Sequence, residues 1–290
     1  MHWIWALLGS VVIVVVLRDV FATLWHPAGR GSVASVVLRT GWRLSRRVAR
    51  DDAPSRVTGP AGMVAVVLIW FTGAIVGWAL IYWPRIDRFA YSSQVDARDG
   101  DLLDALYVSM VSLATLGLGD VVPVEPWVRL VVPGQALTGF ALLSAAVTWI
   151  LQIYPALTRR RTLAERMRTL EAADVREELR LIDAPSAAAL VHGLAEHVAV
   201  IRVDLGQLPE SYYFRETDPR QALAETFGSL WALADVASTD ERPGVRFAGA
   251  VLRSGIEELA CVLAVGFLDM GDAPGVDEVA SAFRADHGWG

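Results

Sequence analysis

The segment from Pro60 to Trp83 carries no charged side chain. At 1.5 Å per residue it is about 36 Å of helix, enough to cross a hydrocarbon core. Pro60 suits the first turn of such a helix and Pro84 its stop. Two further runs have the same character. One goes from Trp3 through Leu17 and on, past Arg18 and Asp19, to Pro27. It has no basic leader and no small-residue cleavage site, so a retained helix is expected there. The other, from Trp127 to Leu157, is longer than a bilayer is thick and should tilt or project into water. A chain of 290 residues that is 54% hydrophobic is consistent with three crossings.

Arginine sets the orientation, since the chain has no lysine. The stretch 28–59 holds Arg30, Arg39, Arg43, Arg46, Arg47, Arg50 and Arg56 against Asp51 and Asp52, and the third run ends in Arg159, Arg160 and Arg161. Both regions are expected on the cytoplasmic side of a plasma membrane, with the N-terminus outside. Trp3, Trp5, Trp78, Tyr82, Trp83 and Trp127 then fall at the outer boundary, Trp25 and Tyr154 at the inner one. Arg18 is expected to snorkel while Asp19 faces protein. A net charge of -6 implies no basic surface for nucleic acid. The single cysteine, Cys261, lies in an apolar run and reads as a buried, inert thiol.

Between the second and third crossings stands "DLLDALYVSMVSLATLGLGDVVP". Asp101 can cap a helix over 102–114, with Asp104 in its first turn. That helix is too short to span, so the chain must enter the membrane and return. A re-entrant backbone survives at that depth only buried in protein or lining a wet path. Gly117 and Gly119, on alternate positions after Thr115, free the backbone to alternate in handedness, so that successive carbonyls face one side. Such a row can replace the water around a bare cation, and the negative end of the helix favours positive charge there.

This segment, with the helix after it containing Gly134 and Gly139, resembles potassium channels with a two-helix pore module, whose filter reads TVGYG. It is most similar to bacterial members with one extra N-terminal crossing and a helical cytoplasmic tail, over roughly the first half of the chain. The resemblance implies a filter at Thr115, Leu116, Gly117, Leu118, Gly119 and Asp120. Potassium would be held by the backbone carbonyls of Thr115, Leu116, Gly117 and Leu118. One chain supplies one loop, so a closed ring implies a homotetramer. Leu116 for valine is conservative. Leu118 stands where the family has an aromatic packed behind the filter, which opens an alternative: a weakly selective monovalent cation channel. A second alternative is a membrane-anchored helical receptor or adaptor with a vestigial pore. Gly139 is a candidate hinge of the inner helix or, equally, a packing position. Pro133 should loosen that helix's first turn, and Gln135 and Thr138 could face the cavity or neighbouring helices.

The expected fold is all-α. A membrane helix (1–27) and an Arg-rich cytoplasmic linker (28–59) precede a pore domain (60–157). The pore domain comprises outer helix 60–83, pore helix 102–114, filter 115–120 and inner helix 127–157. A cytoplasmic helical domain (158–290) follows. Its helices are expected to continue the inner helix and then to run over 219–238, 245–269 and 275–286. Leu190, Leu194, Val198, Ile201 and Leu205 share one face of a further helix. No phosphate-binding glycine loop follows a strand. His192 and His197 are spaced wrongly for a shared metal face, and "ESYYFRE" reads as a core anchor. No catalytic grouping and no cofactor beyond permeant potassium are expected; a regulatory ligand of the cytoplasmic helices stays open.

Overall fold

The computed structural model describes residues 2–25, 31–48, 55–92, 102–271 and 274–289. In chain order the elements are α1 (His2–Leu24), α2 (Ser32–Val48), α3 (Thr58–Tyr82), β1 (Phe89–Tyr91), α4 (Leu102–Leu113) and β2 (Val121–Pro123). Then come α5 (Pro126–Ala172), α6 (Val175–Leu181), α7 (Ala184–Gln207), α8 (Leu223–Ser238), α9 (Pro243–Gly266) and α10 (Val276–Asp286). The fold is all-α, with one antiparallel strand pair, β1 and β2, in which Phe89 faces Pro123 and Tyr91 faces Val121. The stretch 28–59 is more than a linker, since α2 lies within it. Asp101 and Pro27 lie outside the described residues.

The chain forms two compact units. The first is built from Met1–His26, Arg30–Ala34 and Met63–Ile150. Here α1 and α3 meet through glycines: a Cβ on Gly9 would sit 2.3 Å from the Gly77 carbonyl, and one on Gly73 2.8 Å from Val16. Gly73 and Gly77 are four apart, the small-residue spacing that lets membrane helices approach closely. Arg18 is exposed, whereas Asp19 is buried and accepts from the Trp70 indole of α3 at 2.9 Å. At one end of the unit Arg85 lies over the rings of Trp3 and Trp127, and Trp5 packs edge-on to Trp83.

Among the described residues the second unit comprises those of 35–62 and 151–290. Its core joins Leu38 and Trp42 of α2 to residues of α5 to α10. Of the face expected on α7, Leu194, Val198, Ile201 and Leu205 are buried in that core, with Leu190 partly buried against it. Pro185 lies in the first turn of α7, where its missing N–H costs nothing, and Asp183 caps that helix through the Ser186 N–H. Tyr212 is wholly buried, stacked on Phe267 and donating to Asp286 at 2.6 Å. Arg160 is buried too; it donates to the Ser211 and Phe214 carbonyls and pairs with Glu216. His197 sits on the Gly193 carbonyl and His192 beside Phe247. Cys261 is exposed, contrary to expectation: the apolar run around it is helical, and the helix turns this position outward from the core.

Helix α5 takes in 47 residues, Pro133 and Pro155 among them. It therefore extends the expected inner helix 15 residues past Leu157. Among the described residues, four helical segments are long and apolar enough to cross a membrane: 3–24, 58–88, α5 and α7. The sequence reading counted three. Helix α7 is the addition, and its Asp204 is held by the Arg159 guanidinium at 2.6 and 2.7 Å.

Candidate functional site: the re-entrant loop

Helix α4 is 12 residues, about 18 Å, with Asp104 in its first turn. Its buried side is Ala105, Val108, Ser109 and Leu113. It ends in a left-handed cap. The Leu116 N–H reaches back to the Val111 carbonyl at 3.0 Å and the Thr115 N–H to Ser112 at 3.1 Å, with Thr115 at φ 59°. Glycine usually fills that slot; a β-branched residue there is uncommon and strained.

Beyond the cap the backbone alternates. Thr115, Gly117 and Gly119 have φ of 59°, 55° and 77°, while Leu116 and Leu118 have no positive φ. Two of the three left-handed positions are glycine, where no Cβ penalty applies. Alternating handedness of this kind can turn successive carbonyls to a common side. Within the single chain the loop is bare. Thr115 through Gly119 are exposed, Leu116 and Leu118 at 63% and 62%. A Cβ on either glycine would meet nothing within 4 Å. Leu118 is therefore not packed behind the loop by its own chain. A cleft of about 170 Å³ lies there instead, between Tyr107 and Val111 of α4, Leu118 and Val132.

The far end of the loop is tied down at Asp120. Its carboxylate accepts from the Tyr107 hydroxyl and from the Val121 N–H at 3.0 Å, and its carbonyl from the Ser92 N–H at 2.8 Å. Strand pairing of β1 with β2 continues that anchor. Tyr107 was not singled out from sequence; a tyrosine thirteen residues before an aspartate carries no local signal. At the start of α5, Glu125 pairs with Arg88 and accepts from the Trp127 indole at 2.6 Å. The Arg88 hydrogen bond, followed by that of Trp127, holds its carboxyl below the usual range.

Behind α4 runs a buried polar chain that sequence reasoning also missed. The Tyr82 hydroxyl of α3 donates to the Gln135 amide oxygen at 2.8 Å. The Gln135 amide donates to the carbonyl and hydroxyl of Ser109, both at 2.9 Å, and Ser109 donates to the Ile75 carbonyl at 2.8 Å. Gln135 thus faces neighbouring helices, whereas Thr138 turns back to the Gly134 carbonyl of its own helix. Outer helix, pore helix and inner helix are joined at one point, where an unpaired amide would be costly. One turn further along, Gly139 lies against the end of α4. A Cβ there would stand 1.9 Å from the Leu113 carbonyl oxygen.

Residues 63–154 match the family model described as "Ion channel". The matched stretch takes in most of α3, α4, the loop after it and the first part of α5. The chain is also similar to the "Uncharacterized membrane protein YdjJ" of Bacillus subtilis (strain 168), 24% identical over 151 residues. That stretch is 52% of this chain and 44% of the relative, so the match spans less than half of the relative's length. No solved structure matches.

Proposed function

We propose that four copies of this chain close a ring around their Thr115–Asp120 loops and pass monovalent cations, potassium preferred, down their gradient across the plasma membrane. The carbonyls of Thr115, Leu116, Gly117 and Leu118 would be the ligands. The observation that carries this reading is the alternation of left-handed φ at Thr115, Gly117 and Gly119, which suits a row of carbonyls with one facing. The bareness of Leu116 and Leu118 supports a ring, since an apolar loop at membrane depth calls for cover by neighbouring copies. In this reading α1, α3 and the first part of α5 cross, the N-terminus is outside, and α7 belongs to the cytoplasmic helices.

A second reading has one observation in its favour. Leu118 lines a cleft behind the loop, and a ring backed this loosely would admit sodium. Reversal potentials in mixed sodium and potassium separate the two. Gly117→Ala forces a side chain onto φ 55° and should abolish flux from liposomes while leaving assembly intact. Leu118→Tyr fills the cleft and should raise the potassium-to-sodium permeability ratio. A Gly117→Ala protein that conducts like the parent would remove this loop from the ion path.

A further inference from the structure

Helix α2 has four arginines and no acid. Arg39, Arg43 and Arg46 stand at i, i+4 and i+7, along one side of the helix, where like charges repel one another. That side is a wall of a cavity of about 370 Å³ whose lining belongs wholly to the second unit. The other walls are Tyr212 and Tyr213, the turn after α9 with Phe267 and Asp269, and α10. Helix α10 presents Ala282 and Ala285 there, and these short side chains leave the room that longer ones would fill.

The aromatic lining is braced ring against ring. Trp42 meets Tyr213 edge-on at 5.8 Å, and Tyr212 stacks on Phe267 at 4.2 Å. Among the described residues the wall carries three guanidinium groups and two carboxylates, which leaves one positive charge in excess. The two carboxylates differ. Asp286 is committed: the Trp42 indole at 2.8 Å, the Tyr212 hydroxyl at 2.6 Å and Arg46 all donate to it. Asp269 is held by Arg43 at 2.6 Å in a pair whose side chains are exposed at 57% and 58%. Such a pair contributes little to the fold, so its carboxylate can be exchanged for another. Asp269 also stands at φ 54°, a left-handed position that is costly for a residue with a Cβ. The Arg46 Nε is buried and has no hydrogen-bond partner among the described residues.

We propose that this cavity binds a small soluble aromatic monocarboxylate. Its carboxylate takes the place of Asp269 on Arg43, and its ring lies among Trp42, Tyr213 and Phe267. Each part of that ligand answers to an observation. The volume falls at the lower end of the roughly 300–1,000 Å³ of cavities that hold small organic ligands, and an inorganic ion would leave most of it empty. One positive charge in excess suits a monoanion better than a phosphate dianion. Arg43 already holds a carboxylate, the group its guanidinium fork matches. Aromatic walls suit a flat apolar body. The inference goes beyond the function proposed above and depends neither on conduction nor on how the chain sits in a bilayer, so its test reads binding and not flux.

The full chain in mild detergent is dialysed to equilibrium against benzoate, indole-3-acetate and 2-naphthoate, against the neutral amide of each, and against acetate and inorganic phosphate, with protein-free micelles as the blank. At least one aromatic acid should bind, and its amide at least about tenfold more weakly, because a hydrogen bond between charged groups is lost. Arg43→Gln should weaken the acid about tenfold or more and bring acid and amide level. Asp269→Asn removes the resident competitor and should tighten the acid about threefold. Both variants should keep the parent's thermal midpoint without ligand, since the exposed pair adds little stability. Binding of none of the three acids overturns the proposal, as does equal binding of acid and amide. A lower midpoint in Arg43→Gln with the acid-to-amide ratio unchanged makes Arg43 structural and overturns it too, and so does an Asp269→Asn protein that binds no more tightly. Acetate or phosphate binding as tightly as the ring acids overturns it in favour of a plain anion site. Displacement of the bound acid by an equal concentration of phosphatidylglycerol overturns it in favour of a lipid headgroup.

Discussion

Gly139→Ala tests how the inner helix meets the pore helix. In isolation the change should help, because alanine is about 1 kcal/mol better than glycine inside a helix. Here the new methyl would stand 1.9 Å from the Leu113 carbonyl oxygen, 2.9 Å from its carbon and 3.2 Å from its Cα. Cβ atoms are essentially never seen closer than 3.0 Å, so one backbone must retreat by about 1.1 Å. All three obstacles are main chain and cannot rotate away. Overpacking of this kind costs about 1–3 kcal/mol or more, which exceeds the gain in propensity. The carbonyl at risk belongs to the last residue of α4, two before Thr115. A retreat therefore moves the start of the Thr115–Asp120 loop. We expect a lower thermal midpoint in detergent, reduced flux in liposomes and a changed potassium-to-sodium ratio. Gly134→Ala is the control, with nothing within 4 Å of its Cβ, and should match or exceed the parent in stability. If Gly139 served only as a hinge, alanine would alter open probability and leave the midpoint and permeability ratio alone. That outcome would refute the packing argument.

Three further substitutions probe the polar interior. Gln135→Leu removes the shared partner of Tyr82 and Ser109; stranding the buried Tyr82 hydroxyl should cost about 1–3 kcal/mol, and adding Tyr82→Phe should recover part of it in a double-mutant cycle. Additive losses would mean the chain is not energetically joined. In the second unit, burial pushes the Glu210 carboxyl up to about 8 from 4.5, so the fold favours its neutral form. The folded chain then keeps a proton that the unfolded chain gives up, and stability declines as pH rises between those values and levels off above. His287, pushed from 6.5 down to about 4 by burial, acts in the opposite direction between those two values. Comparing thermal midpoints at about pH 7 and pH 9 isolates Glu210: the parent should lose stability and Glu210→Gln should lose less. Equal losses would place the titration elsewhere.

The pore module was legible because its signals are local and physical. An uncharged run long enough for lipid, a short helix too brief to cross, and glycines on alternate positions each limit the backbone without reference to distant residues. Asp19 was read as facing protein, and it does so, although its partners on α2 and α3 could not be named. What escaped reading depends on contacts far apart in the chain. Gln135 looked as suited to a cavity as to a helix neighbour until Ser109 and Tyr82 were placed beside it. Gly139 could be hinge or contact, since only the position of Leu113 decides. Helix α2 was hidden in plain composition: its arginines drew attention as a topology signal and not as the polar side of an amphipathic helix. Cys261 misled because an apolar neighbourhood in sequence is not a buried one on a helix.

The alternation of backbone handedness between Thr115 and Gly119 gives this segment a parity. Left-handed slots fall on odd positions, and both leucines stand on even ones. Deleting or inserting a single residue inside the loop would move a leucine into a left-handed slot, at roughly 1–2 kcal/mol for each one displaced, and would turn the carbonyls of the shifted half to the opposite side. A change of two residues keeps the pattern. Length variation tolerated here should therefore come in pairs, so a library of loop insertions sorted by ion flux would separate by even and odd before it separated by amino-acid type.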